Sequence, residues 1–318
     1  MAYTAGDSIL DDEYNDFVGS SSSPFGYNHF AGTGSGEYGL NQTSIATVSA
    51  GGTITASSWN SLFTGLDNIA NHTNVSITSS SVSAGDAIAV RSALISDLAS
   101  LAAAVAAGST SATAISTPAA AGSSSNSATW NSTSTIERSI TFANSATMRA
   151  FFNAGGYIRI DPSCTTGIDG SKDDVFNDLT VTAIGNLDLK AHITSRSGSG
   201  ETLTTDGLAN GFHELSTGYT VLLKLTSDNS GYTSNTVEIS AKLDAAPATA
   251  TVLTIKMVST DPADDNTYTA GNTDGVPANP DEAPIMVLAL LEAYPTDAEG
   301  LAADIRAASN AEVSNSQS

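Results

Sequence analysis

Positive charge is scarce in this chain. Of its 318 residues only 11 are Lys or Arg against 33 Asp or Glu, a formal net charge of -22, and Arg91 is the sole basic residue ahead of Arg138. Such a surface repels phosphate backbones and anionic headgroups, so neither nucleic-acid binding nor membrane insertion is expected. A single cysteine, Cys164, rules out an intrachain disulfide, and a lone Cys in a β-rich region is expected to be a small buried hydrophobe. No apolar run approaches the ~20 residues that span a bilayer. The opening Met1-Ala2-Tyr3-Thr4-Ala5-Gly6-Asp7 has neither a basic start nor an apolar core, so the chain is expected in the cytoplasm when made.

Catalytic signatures are missing as well. The chain has no Gly-x-Ser-x-Gly elbow and no phosphate-binding lysine loop. His29, His72, His192 and His213 are far apart in sequence and none has metal-ligand spacing to Cys or another His. Carboxylates cluster at Asp11-Asp12-Glu13, Asp173-Asp174, Asp264-Asp265 and Asp281-Glu282, in breaker-rich stretches without the aromatic platforms that glycoside cleavage uses. No enzyme is expected, no catalytic residue is assigned, and no cofactor is called for. The weak exception is calcium: the loop 261–281 offers Asp261, Asp264, Asp265 and Asp274 among Asn and Gly. Its order departs from the EF-hand, because Asn272 stands where the terminal Glu would be.

What is present divides the chain. Hydrophobic residues make up 40% but aromatics only 6%, a balance that favours β-rich, loop-rich structure with close backbone packing. Residues 1–108 open with a Gly-rich arm whose aromatics, Tyr14, Phe17, Phe25, Tyr27 and Phe30, suit anchoring on another surface. Trp59, Leu62, Phe63, Leu66, Ile69 and Ala70 recur at helical spacing, with Ser57 or Ser58 as N-cap. A second helix is expected from Ser83 to Ala107, stopped by Gly108. Its seam of Ile88, Ile95, Leu98, Ala102 and Val105 would pack on the first helix as a hairpin or on copies of itself as a bundle. Residues 109–129 have linker composition. In 130–295 the period changes to alternation, and strands are expected at 136–142, 157–161, 187–194, 219–226, 236–243, 251–259 and 284–293. Within them 221–223 and 286–291 suit deep burial. Short helices fit 145–152, 173–179 and 297–308, and the remainder of the tail 296–318 is expected to be mobile. The fold class is α+β: an extended N-terminal segment with a helical hairpin, then a C-terminal antiparallel β-sandwich.

One stretch, Phe151-Phe152-Asn153-Ala154-Gly155-Gly156-Tyr157-Ile158, resembles a module of virion structural proteins in tailed bacteriophages, notably those of marine cyanobacteria. Ser139-Ile140-Thr141-Phe142 before it and 232–241 and 251–258 after it fit the same layout. So do Tyr14-Asn15-Asp16-Phe17-Val18-Gly19, Gly26-Tyr27-Asn28-His29, Trp59-Asn60-Ser61-Leu62-Phe63 and Asp67-Asn68-Ile69-Ala70-Asn71-His72 at the front. The resemblance implies a particle component and supplies no catalytic residue. On physical grounds Gly155 and Gly156 permit a tight turn into the strand at Tyr157, with Phe151 and Phe152 covering one end of the sandwich.

The expected function is a tail, fibre or appendage subunit of a virion, working through contacts with itself, a trimer being favoured, and with other virion proteins. A head decoration or collar protein is the alternative in the same class. A carbohydrate-binding adhesin is the alternative outside it, with Tyr219, Tyr232 and Tyr268 as candidate platforms. Interface candidates are Tyr14, Phe17, Phe25, Tyr27, Phe30, Ile88, Ile95, Leu98 and Val105.

Overall fold

The computed structural model describes residues 11–19, 26–32, 39–40, 42–83, 91–111, 113–128, 130, 132–165, 171–262, 283–296 and 309–317. They belong to two compact units, one helical (Met1–Thr117, Asn144–Gly156 and Tyr294–Arg306) and one built of sheets (Pro118–Ala143, Tyr157–Ala293 and Ala307–Ser318). Each is discontinuous in sequence, because the chain leaves the sheet unit twice, at Asn144–Gly156 and at Tyr294–Arg306.

In the helical unit lie α1 (Asp11–Val18), α2 (Tyr27–Ala31), α3 (Ala56–Thr73), α4 (Arg91–Ala106) and α5 (Ser145–Asn153). The stripe read from α3 is buried throughout, from Trp59 to Ala70. Its cap is Thr55 rather than Ser57 or Ser58. The Thr55 hydroxyl accepts from Ser58 N at 3.1 Å while Ser58 Oγ accepts from Thr55 N at 3.4 Å, a reciprocal box that satisfies two end donors. On α4 the inward stripe is Leu94, Leu98, Leu101 and Val105. Leu98 and Val105 of the expected seam are buried, while Leu94 and Leu101 beside it take the inward places of Ile95 and Ala102, and Ile95 is 49% exposed. Residues 84–90, including the expected helix start and Ile88, lie outside the described residues. Tyr14 stands edge-on to Trp59 at 5.3 Å, and Trp59 stacks on Phe63 at 5.8 Å.

The sheet unit is a sandwich of two antiparallel sheets, as the alternation indicates. One has the order β1-β10-β3-β4-β5, the other β11-β2-β9-β8-β7-β6. The strands are β1 (Ala119–Ser125), β2 (Ser132–Thr141), β3 (Tyr157–Cys164), β4 (Leu187–Leu189), β5 (Thr194–Arg196), β6 (Thr202–Asp206), β7 (Thr220–Thr226), β8 (Thr236–Leu243), β9 (Val252–Asp261), β10 (Met286–Ala293) and β11 (Ser309–Gln317). Register stacks like with like: Ile136 and Ile239 both oppose Met257, and Ile140 and Leu243 both oppose Leu253. Each such side chain removed from water contributes about 1.5–3 kcal/mol.

Several expectations change here. The stretch assigned to a linker contains β1, and the tail expected to be mobile contains β11. The expected strand 187–194 is two strands, β4 and β5, joined by a turn that Lys190 N closes on Ile193 O at 3.1 Å. In β10 burial alternates, with Met286, Leu288 and Leu290 inward, rather than extending over the whole run. In β7 the register shifts between Val221 and Leu223, so the ladder changes phase and both Leu222 and Leu223 become buried. Helix α6 (Ser171–Asn177) continues into a π-helical segment, Asp178–Ile184. The helix expected at 297–308 lies outside the described residues.

Candidate functional site

Four dipeptides in the motif regions share one design: an aromatic followed by asparagine. Tyr14, Tyr27, Trp59 and Phe152 are each at most 2% exposed. The asparagine that follows binds backbone. Asn15 donates to Val48 O at 2.8 Å and accepts from Val48 N at 2.8 Å. Asn28 does the same to Ile45 at 2.8 and 2.9 Å, and Asn60 to Val82 at 2.9 and 2.8 Å. Asn153 donates to Gly39 O at 3.0 Å. A carboxamide presents one donor and one acceptor side by side, so it pairs with a residue's N–H and C=O as a neighbouring strand would. Extended segments with no sheet partner are thereby strapped onto helices.

The two halves of the resemblance meet in this unit. His72, 1% exposed, places Nε2 3.0 Å from Ala154 O. A carbonyl only accepts, so the imidazole carries its proton on Nε2 there. Gly155 adopts φ +89°, and a Cβ on it would lie 2.3 Å from Thr110 Cγ2; one on Gly156 would lie 2.6 Å from Phe151 O. The tight turn expected at this pair is present. Phe151 and Phe152, perpendicular rings 5.0 Å apart, belong to the helical unit with α5 rather than to the sandwich, because the chain departs the sheets at Asn144 and returns at Tyr157.

Most interface candidates are core residues. Tyr14, Phe17, Tyr27, Phe30, Leu98 and Val105 are at most 6% exposed and share one cluster, so the arm packs on its own unit. Phe25 and Ile88 lie outside the described residues. Ile95 alone of the described candidates faces out. It heads a row, Ile95, Ala99, Ala103 and Ala106, exposed along α4 to one side of its buried stripe.

The acidic loop places one candidate ligand. Asp261, at the end of β9, is 2% exposed and its Oδ2 lies 2.8 Å from Lys172 Nζ, itself 2% exposed. Asp261 is thus held in a buried ion pair. Asp264, Asp265 and Asp274 lie outside the described residues. Among the described residues no group of three or more His, Cys, Asp or Glu is arranged to hold a metal ion, and no described helix is long and apolar enough to cross a membrane. His192 and His213, far apart in sequence, stack at 5.2 Å, because Phe212 N and His213 N bond back to Lys190 O and Ala191 O.

Of the platform residues of the adhesin alternative, Tyr219 is engaged by two lysines. The Tyr219 ring has Lys256 Nζ at 3.8 Å and Lys242 Nζ at 4.4 Å from its centroid. Burial, and then the neighbouring Glu137 carboxylate, hold its hydroxyl proton on more tightly than usual. Tyr232 is half-buried and Tyr268 lies outside the described residues. Buried Arg138 in β2 donates to Asn310 in neighbouring β11 and to Ser124 in β1, an edge strand of the other sheet. Asn315 and Gln317 of β11 donate to Ser125 O and Ala128 O, each at 2.7 Å, so side chains stitch the two sheets along this margin. Sequence periodicity could not locate this seam, since every group in it is polar.

No protein-family model, curated protein or solved structure matches this chain.

Proposed function

We propose that this chain is a structural subunit of a tailed-phage virion, part of a tail or fibre-like appendage, which acts through contacts between copies and with neighbouring virion proteins. The observation that carries the assembly role is α4. Its inner stripe is spent on the core of its own unit, yet its outer face is Ile95 with three alanines and intervening serines. A helix apolar on both sides is a buried helix, and alanine lets backbones approach closely. Copies of α4 around a symmetry axis would cover that face, and a trimer is the assembly we favour. The virion assignment rests on the motif resemblance. The residues carrying that resemblance hold the architecture: aromatic anchors, asparagine straps, and the His72 to Ala154 bond.

Peptide mass spectrometry of gradient-purified particles tests the assignment. The chain is expected at a stoichiometry that is a multiple of the oligomer. Its absence from particles, with presence in the surrounding lysate, would contradict the proposal.

A further inference from the structure

We propose that the helical unit carries a binding site for a neutral saccharide, in a groove of about 350 Å³ between residues 42–46 and α3. It goes beyond the assembly role and does not depend on it. Among the lining residues are Tyr27, Gln42, Ser44, Ser61, Thr64 and Asn68, and none of the residues lining the groove carries a charge.

Gln42 is the anomaly. It is 2% exposed, its backbone N is pinned to Ala31 O at 2.8 Å, and its Oε1 accepts from the Tyr27 hydroxyl. Its Nε2 has no hydrogen-bond partner. A buried donor left unpaired is costly, so such a group marks a place where a ligand acceptor would be gained. Tyr27 reaches Gln42 only because α3 has glycine at position 65: a Cβ there would lie 2.5 Å from the Tyr27 ring. The helix therefore gives up a side chain to admit the ring that fixes the amide.

The rest of the lining combines hydroxyls and one carboxamide, groups that both donate and accept, with the apolar Ile45 and Ala46, which suit the C–H face of a sugar ring. Ser61 donates to Ser57 O at 3.0 Å and keeps its lone pairs for an incoming donor. Thr64 and Asn68 are one helical turn apart on α3. An ionic ligand would find no counter-charge here. An apolar ligand would leave the Gln42 donor unpaired. A polyhydroxylated neutral ring matches this lining, with an acceptor oxygen on Gln42 Nε2, and the volume suits one or two sugar units.

Saturation-transfer NMR on the full chain tests this with methyl glucoside, methyl galactoside, methyl mannoside, lactose and maltose as probes, and glucuronate and sialic acid as charged controls. Transfer to at least one neutral sugar and to neither acid is expected. Gln42→Glu keeps the acceptor for Tyr27 but removes the donor, and binding is expected to disappear. Should that variant not fold, Thr64→Val with Asn68→Ala, both at the groove rim, is expected to weaken binding at least tenfold with an unchanged melting temperature. No transfer to any neutral sugar at millimolar concentration, transfer to the acids alone, or binding unaffected by the rim variant would each overturn the proposal.

Discussion

At the scale of single residues, asparagine does in the helical unit what strand pairing does in the sandwich. Asn15, Asn28 and Asn60 each bond to both the N–H and the C=O of one backbone residue, so three carboxamides replace the missing partner of a solitary extended segment. Asn60→Ala leaves two groups of Val82 to find water and is expected to cost about 1–2 kcal/mol in urea unfolding. Asn60→Asp retains only the acceptor and is expected to lie between that variant and the parent. Equal stability of all three would show that the strap carries no weight. The cysteine gives a second test. Burial, reinforced by the Asp173 charge, pushes the Cys164 thiol up to about 11, so its alkylation by iodoacetamide at pH 8 is expected to be about a hundredfold slower than in guanidinium-unfolded chain. The aromatic members of the motifs were legible as anchors from the sequence. What they anchor to was not, because an aromatic that docks on a neighbour and one that docks on its own helices have the same composition.

At the scale of elements, those with a strong period were readable. The α3 stripe, the alternation in β8 and the turn at Gly155 follow directly from residue order. β1, β6 and β11 did not, and the reason is common to them: AAAGSSS, TLTTD and SNAEVSNSQ lack the apolar alternation that marks a half-buried strand. They are edge strands held by ladder bonds and by polar side chains such as Arg138, Asn315 and Gln317. Each also carries a register shift, a device that blunts sheet edges against indiscriminate pairing. In the proposed assembly, copies would therefore meet through helix faces rather than sheet edges. The turn from β8 into β9 offers an electrostatic test. Burial alone would raise the Asp244 carboxyl, but hydrogen bonds from Val252 N, Thr251 N and the Thr251 hydroxyl outweigh it and hold the group below its ordinary value. A lowered folded value means a contribution present at neutral pH and lost as pH falls through that value, below about 4. The stability gap between parent and Asp244→Asn is therefore expected to shrink between about pH 6 and pH 3, measured by urea titration. A gap independent of pH would contradict this.

At the scale of the whole molecule, the charge is distributed unevenly along the chain. Ten of the eleven basic residues lie at or beyond Arg138, where several pair or stack within the sandwich: Arg159 with Asp188, Lys224 with Glu238, Lys172 with Asp261, and Lys242 and Lys256 on Tyr219. The front of the chain has almost no positive charge, so copies meeting through it must do so over an uncharged face or be repelled. The α4 row of Ile95, Ala99, Ala103 and Ala106 is such a face. Sedimentation equilibrium of the purified chain, parent beside Ile95→Glu, tests this most directly. The parent is expected to sediment at about three times the 32.2 kDa chain mass and the variant, with unchanged helical circular dichroism, at the single-chain mass. A parent that remains a single chain at every loading concentration would contradict assembly through this helix.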